Sequence, residues 1–336
     1  MRPPHSTFFP DTSLEENKEA RRMRTTTLTD KMVDKGPLEK RVDLYFETAI
    51  ERHKVYKRRL AGKPRPWSTN PIFNNYRFCN VYRELDKCTI WLRENWREPY
   101  ASHPNLAFAM ALFRLINWPP TLEEIGFPVR WNPEKALKAI NARIQKEQKV
   151  YTGAYLLGGG IAKGGDRGSY LVNEVLTPLQ KNLIGWSSVD RTSNEQSLCA
   201  AWLYFRQHRG IGDFLAYEIV SDLRHTHYLN KAFDIMTWAN PGPGALRGLT
   251  RLWGYDVKTR KHDGWVFPKN RANEAMQNLL KLSKQKIPSS MPKWEMREVE
   301  HWLCETDKYN RIQAGEGVLE RFNPIPDGQW SLEDLW

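Results

Sequence analysis

An all-α fold is predicted by three features of the sequence. Apolar residues recur at spacings of three and four, strand-like alternation is nearly absent, and prolines bracket the most apolar run. The 336 residues suffice for one large domain or two small ones with a sizeable core. Hydrophobic residues make up 40% and charged residues 27%, with mean hydropathy −0.67, which excludes a membrane protein and a wholly disordered chain. The best apolar run, residues 107–113, stops at Arg114, well short of the ~20 residues a membrane span needs. The opening MRPPHSTFFPDTSLEEN has no apolar signal core, so a cytoplasmic setting with no membrane partner is expected.

Residues 1–38 are polar, contain Pro3, Pro4 and Pro10, and read as a basic tail. Residues 39–66 read as a basic helix, with Val42, Tyr45, Phe46, Ala49, Ile50 and Val55 as its apolar stripe and HKVYKRRL as its far end. Residues 67–336 carry the remaining helices. After the breaker KPRPWSTNP, helical spacing of Phe78, Val81, Tyr82, Leu85, Cys88 and Leu92 predicts a helix over 74–95. The run HPNLAFAMALFRLINW opens after Pro104 and ends before Pro119 and Pro120. Residues 133–150 follow, with Asn132 as N-cap and Ala136, Leu137, Ile140 and Ile144 as the inner face. Residues 153–168 hold seven glycines and read as a loop, yet not a Walker loop: the only Gly-Lys pair, Gly62-Lys63, is followed by Pro64. Helices resume over 170–183 and 194–208.

The formal net charge of +12 points to a polyanion, nucleic acid first. Half of that excess lies within residues 1–66. Cys79, Cys88, Cys199 and Cys304 are far apart without a C-x-x-C pair, so neither a zinc knuckle nor a disulfide scaffold is indicated. No metal site is expected, and His225-Thr226-His227 reads as a helix end.

The most informative stretch is SLCAAWLYFRQHRGIGDFLAYEIVSDLRH, residues 197–225. Two amphipathic helices are joined through Arg209, Gly210, Ile211 and Gly212. The glycines permit a tight turn, Ile211 plugs the space between the helices, and the N–H groups opening the second helix can hold a DNA phosphate. This resembles the helix-hairpin-helix of DNA repair glycosylases; an ordinary helical hairpin is the alternative. In that superfamily an aspartate follows the hairpin by about twenty residues, and Asp234 lies 22 residues after Gly212. Asp234 is therefore a candidate acid or base, with a helix N-cap as its other role. A rigid Pro-Gly-Pro-Gly turn, 241–244, is placed to fix Arg247 toward an anion. The segment CETDKYNR, 304–311, packs Glu305, Asp307, Lys308, Tyr309 and Arg311 into seven residues, and a solvated helix end would explain these charges too.

Six ordered segments carry a more specific resemblance: RFCNVYRELDKCTIWL (77–92), HPNLAFAMALFRLINWP (103–119), KVYTGAY (149–155), GIGDFLAYEIVSDL (210–223), GPGALRGL (242–249) and CETDKYNR. Together they resemble the α-glutamyl/putrescinyl thymine pyrophosphorylases, or amino acid:DNA transferases, of the glycosylase-like helix-hairpin-helix superfamily. The region is also labelled a helical domain of 5-hydroxymethyluracil DNA kinase. The resemblance spans roughly residues 70–325 and implies a two-lobed, glycosylase-like catalytic domain over 67–336. It also implies a step in bacteriophage thymine hypermodification: pyrophosphate on 5-pyrophosphomethyluracil in double-stranded DNA is displaced by an amino acid or polyamine.

Such a reaction needs cations for the leaving group and a base for the amine. Arg77, Arg83, Arg247, Lys308 and Arg311 are the candidate cations; Asp234, Glu305 and Asp307 are the candidate bases. Tyr151 and Thr152 of the KVYTGAY segment are candidate substrate contacts, and Tyr151, Tyr155, Phe78 or Tyr82 could stack on a flipped base. No cofactor is required with certainty; a divalent cation carried by the pyrophosphate is the one the chemistry allows. The resemblance also implies that Asp234 and the CETDKYNR segment face each other across one cleft. Three other classes stay open: a DNA glycosylase using Asp234, a 5-hydroxymethyluracil DNA kinase, and a non-enzymatic DNA-binding module.

Overall fold

The computed structural model describes residues 37–152, 166–187, 195–255, 257 and 267–316, and among these there is no β-strand. The helices are α1 (Leu38–Leu60), α2 (Pro71–Asn75), α3 (Lys87–Leu92, continued by a π turn over Arg93–Arg97), α4 (Leu106–Ile116), α5 (Pro119–Ile125) and α6 (Pro133–Gln145). Then come α7 (Arg167–Ser169, a π segment Tyr170–Leu176, and Thr177–Asn182), α8 (Leu198–Arg206), α9 (Asp213–Leu223), α10 (Pro243–Leu252), α11 (Ala272–Lys286) and α12 (Met296–Gln313). No described helix is long and apolar enough to cross a membrane.

Local chemistry explains most boundaries. Asn132 accepts the Lys135 N–H at the start of α6, Ser197 caps α8 through the Ala200 N–H, and Glu295 and Glu298 close a reciprocal capping box on α12. All of α4 is buried, Arg114 included, as befits a helix apolar on every side, and it ends at Asn117 in the left-handed region just before Pro119.

Two expectations are corrected. Residues 76–82 are not helical: Asn80 and Asp86 bond the local backbone instead, Asn80 Nδ2 to the Leu85 carbonyl and Asp86 Oδ1 to the Asn80 N–H, so the helix begins only at Lys87. On α6 the inner face rotates. Ile144 is 51% exposed while Arg143 is buried, bonded to Glu124 and to the Lys149 carbonyl. The glycine-rich stretch lies, except for its last residues, outside the described residues.

A single apolar core runs through the molecule. The first and last helices meet in it: Tyr45 of α1 donates to the Val299 carbonyl at 3.1 Å, and Trp302 of α12 returns a bond to the Tyr45 carbonyl at 2.9 Å. Helix α10 lies so close to α12 that a Cβ at Gly248 would strike the Leu303 backbone and one at Gly244 the Cys304 side chain. The α8–α9 hairpin has the expected form. Gly210 sits at φ +77°, Ile211 is a buried plug, and Gly212 opens α9 with free space around it. Helix α9 packs on α4 through a buried ion network, in which Arg83 binds Glu218 and Asp222 while Arg114 binds Asp222, Asn117 and Thr89.

Candidate active site

Residues 77–86, non-helical except for a 3-10 turn at Arg83–Leu85, lie against α1 and α12, and side chains of those two helices hold the backbone. Arg52 donates through Nε and Nη2 to the Phe78 carbonyl at 3.3 and 3.0 Å. Glu305 Oε2 accepts the Cys79 N–H at 3.0 Å, and His301 Nε2 lies 3.1 Å from the Asn80 carbonyl. Lys308 donates to the Arg77 carbonyl, its Nζ 5.0 Å over the Phe78 ring. Tyr309 lies against Phe73 and Phe78, and its hydroxyl accepts from Asn70 at 2.8 Å. Two segments singled out in the sequence, more than 200 residues apart, thus form one place. Arg77, Glu305, Lys308 and Tyr309 meet there.

Positive charge collects beside it. Arg59 and Arg65 each lie 5.0 Å over the ring of Trp67. Burial, then the charges of Arg59 and Arg77, pulls the Lys87 ammonium down to about 8, and burial followed by Arg77 and Arg65 lowers Arg59. Like charges held together repel, and an anion placed among them relieves that cost.

The other predicted residues go elsewhere. Asp234 starts no helix; it caps α8 from outside, with Oδ1 taking the Leu198 N–H at 2.7 Å and Oδ2 taking Ser197 Oγ and the Cys199 N–H at 2.9 Å each. Asp307 is 1% exposed and binds Arg247 through one oxygen, at 2.9 Å, and Arg251 through the other, at 2.8 Å. Far from being a solvated helix end, this turn of α12 is core. Of the three candidate bases, only Glu305 keeps an oxygen without a hydrogen bond to a described residue.

Arg83 is 6% exposed and paired with Glu218 and Asp222, and it contributes to the wall of a cavity between α9 and the start of α12. Against the cost of burial, Arg83, Arg297 and Arg114 hold the Glu218 carboxyl well below its usual range. Thr152 accepts from Asn117 at 3.2 Å, and Tyr151 lies under the Arg167 guanidinium, 4.0 Å from ring centre, its phenol pushed by burial up to about 12. Tyr155 lies outside the described residues. Arg311 makes no ion pair with a described residue. In the hairpin, Arg209 pairs with Glu174 at 2.7 Å, and Asp213, in the first turn of α9, pairs with Arg206 and Lys269.

A cavity of about 250 Å³ opens on the other side of the 77–86 segment, between α9 and the start of α12. Tyr82, Tyr217 and Trp238 supply aromatic walls, with Arg224, Lys293 and Glu298 among its polar lining. Burial pushes the Glu298 and Glu300 carboxyls up to about 7. Neither Asp234 nor any residue of 304–311 lines this cavity, so the expected facing of the two across a single cleft is not what this cavity displays.

Sequence reasoning missed Cys79, Asp86, Lys87 and His301. The first three stand inside the RFCNVYRELDKCTIWL segment, so attention to its polar members would have found them; nothing local marks His301. A further polar cluster appears only in three dimensions: ligand-type atoms of Cys79, Asp86 and His301 lie within 4.8 Å of one another.

The family described as "5-hmdU DNA kinase, helical domain" matches residues 39–318, most of the chain and all of the site just built. The chain belongs to this family. A 5-hmdU DNA kinase of Bacillus phage SP10 is 27% identical over 297 residues. That alignment covers 82% of this chain and 45% of the relative, so the chain spans less than half the length of the curated relative it matches. No solved structure matches significantly. Membership in the 5-hmdU DNA kinase helical-domain family agrees with the fold class expected, and it covers the segments on which the resemblance was drawn.

Proposed function

We propose that this chain is a DNA base-modifying transferase of phage thymine hypermodification, displacing pyrophosphate from 5-pyrophosphomethyluracil in double-stranded DNA with the amine of an amino acid or polyamine. One observation carries the reading: the 77–86 segment and the α12 turn bearing Glu305 and Lys308 meet beside a group of further cations. In this reading the target nucleotide leaves the duplex and presents its exocyclic carbon to the cluster of Arg77, Glu305 and Lys308. The C–O bond to pyrophosphate breaks as the amine nitrogen bonds the exocyclic carbon. Glu305 takes the proton through its open oxygen. Arg77, Lys308, Arg59 and Lys87 receive the leaving charge. The turn at Arg209, Gly210, Ile211 and Gly212 holds a backbone phosphate without reading sequence.

The test is nucleoside mass spectrometry after incubating the protein with 5-pyrophosphomethyluracil DNA, amino acids and putrescine. A nucleoside heavier by one amine is expected, and Glu305→Gln, which keeps an acceptor for the Cys79 N–H, should lower its formation by roughly 10²–10⁴-fold with DNA binding unchanged. Intact pyrophosphate with no adduct would overturn the proposal. Phosphorylation of 5-hydroxymethyluracil DNA is the second reading, favoured by the activity named for the phage SP10 relative. Against it, these 336 residues contain no Gly-Lys-Ser/Thr phosphate loop. Phosphate transfer from ATP to 5-hydroxymethyluracil DNA in the same assay would decide for it.

A further inference from the structure

We propose that Cys79, Asp86 and His301 bind a single zinc ion, leaving the fourth coordination position open. The three donors come from two stretches of chain that α12 and the 77–86 segment bring together, and their ligand-type atoms lie within 4.8 Å of one another. A tetrahedral zinc site with Zn–S near 2.3 Å and Zn–N and Zn–O near 2.1 Å needs donor separations of roughly 3.5 Å, a contraction within reach of small side-chain rotations. The donor set is selective: thiolate and imidazole favour zinc over magnesium or calcium, and three protein ligands with one vacancy is the pattern of reactive rather than structural zinc.

The surroundings supply what a metal site needs beyond its ligands. Both peptide groups of Asn80 orient a donor. Its N–H binds Asp86 Oδ1 at 3.0 Å, and its carbonyl lies 3.1 Å from His301 Nε2. With Nε2–H donated to that carbonyl, the imidazole keeps its lone pair on Nδ1, which is how protein carbonyls commonly set the tautomer of a zinc-binding histidine. Glu305, bonded to the Cys79 N–H, adds a negative charge next to the thiolate. Cys79 lies on an exposed stretch of chain, and the open coordination position can accept a water or a phosphate oxygen.

Zinc binding is read by metal content, so it stands or falls separately from the transferase reading. The full chain, stripped with chelator, is titrated with zinc against a chromophoric competitor, and in parallel with cobalt(II) to look for a thiolate-to-metal charge-transfer band. One ion per chain is expected, with Cys79→Ser and His301→Gln each weakening binding by at least about 100-fold and Cys79→Ser abolishing the cobalt band. Because His301→Gln could disturb α12, a third readout uses the unaltered protein: zinc should protect Cys79 from alkylation by iodoacetamide, followed by peptide mass spectrometry. No zinc uptake by the unaltered chain, equal affinity in Cys79→Ser, or alkylation indifferent to zinc would each overturn the proposal.

Discussion

Substituting Gly248 by alanine tests how tightly the site depends on the contact of α10 with α12. A Cβ on Gly248 would lie 2.8 Å from the Leu303 carbonyl carbon and 3.2 Å from its Cα, with the carbonyl oxygen closer still. These are backbone atoms of a helix, so no side chain can rotate away. Restoring ordinary contact requires the two helices to part by about 1 Å. Overpacking of this kind costs about 3 kcal/mol, or a fall in Tm of roughly 4–6 °C for a chain of this size.

The displacement has a second effect. Leu303 is followed directly by Cys304 and Glu305, so in molecules that still fold, Glu305 and Lys308 shift against the 77–86 segment, and a misplacement near 1 Å lowers turnover by about 100-fold. Denaturant unfolding followed by circular dichroism measures the first effect and the DNA transfer assay the second. Gly244→Ala is the internal control. There the added Cβ meets the Cys304 side chain, with Cβ at 3.1 Å, so its cost should be smaller and should shrink further in a Cys304→Ala background. An unfolding free energy for Gly248→Ala within about 0.5 kcal/mol of the parent would refute the argument.

Further outcomes follow from other contacts. Asp222→Asn leaves Arg83 and Arg114 short of a buried counter-charge and should cost about 3–5 kcal/mol in a denaturant titration; a loss below 1 kcal/mol would mean the network is not the clamp between α4 and α9. Burial holds the Glu298 carboxyl at about 7 against an ordinary value of 4.5, so between those values the folded chain holds a proton the unfolded chain releases, and stability falls as pH rises through that window. The full shift corresponds to about 3 kcal/mol, reduced by partial solvent access to about 1–2 kcal/mol. Glu298→Gln should flatten the difference between pH 5 and pH 8, in part because Glu300 shares the trend; an unchanged slope would remove the assignment. Gly212→Asp puts a carboxylate where the hairpin would meet a phosphate, with room for it in the fold, so DNA affinity in a filter-binding assay should fall while Tm stays within a few degrees. Normal affinity would take the hairpin out of DNA binding.

What the amino-acid sequence determined by itself is local: helix periods, proline and glycine punctuation, the caps at Asn132 and Ser197, and the hairpin turn with Ile211 as plug all depend on residues a few positions apart. Its local misreadings share a cause. Phe78, Val81 and Tyr82 are buried at helical spacing, yet Asn80 and Asp86 tie the backbone into another shape; on α6, Arg143 is buried by a partner, Glu124, that lies outside its own helix. Which charges are core and which line the site was settled by contacts between distant parts of the chain. A run such as CETDKYNR looks the same whether Asp307 is solvated or clamped by Arg247 and Arg251, because the partners that settle it are about 60 residues away. The same holds for Asp234, spent on the end of α8, and for Cys79 and Asp86 beside His301. Burial and pairing are set by long-range packing of α12 against α1 and α10, and no pattern of neighbouring residues encodes them.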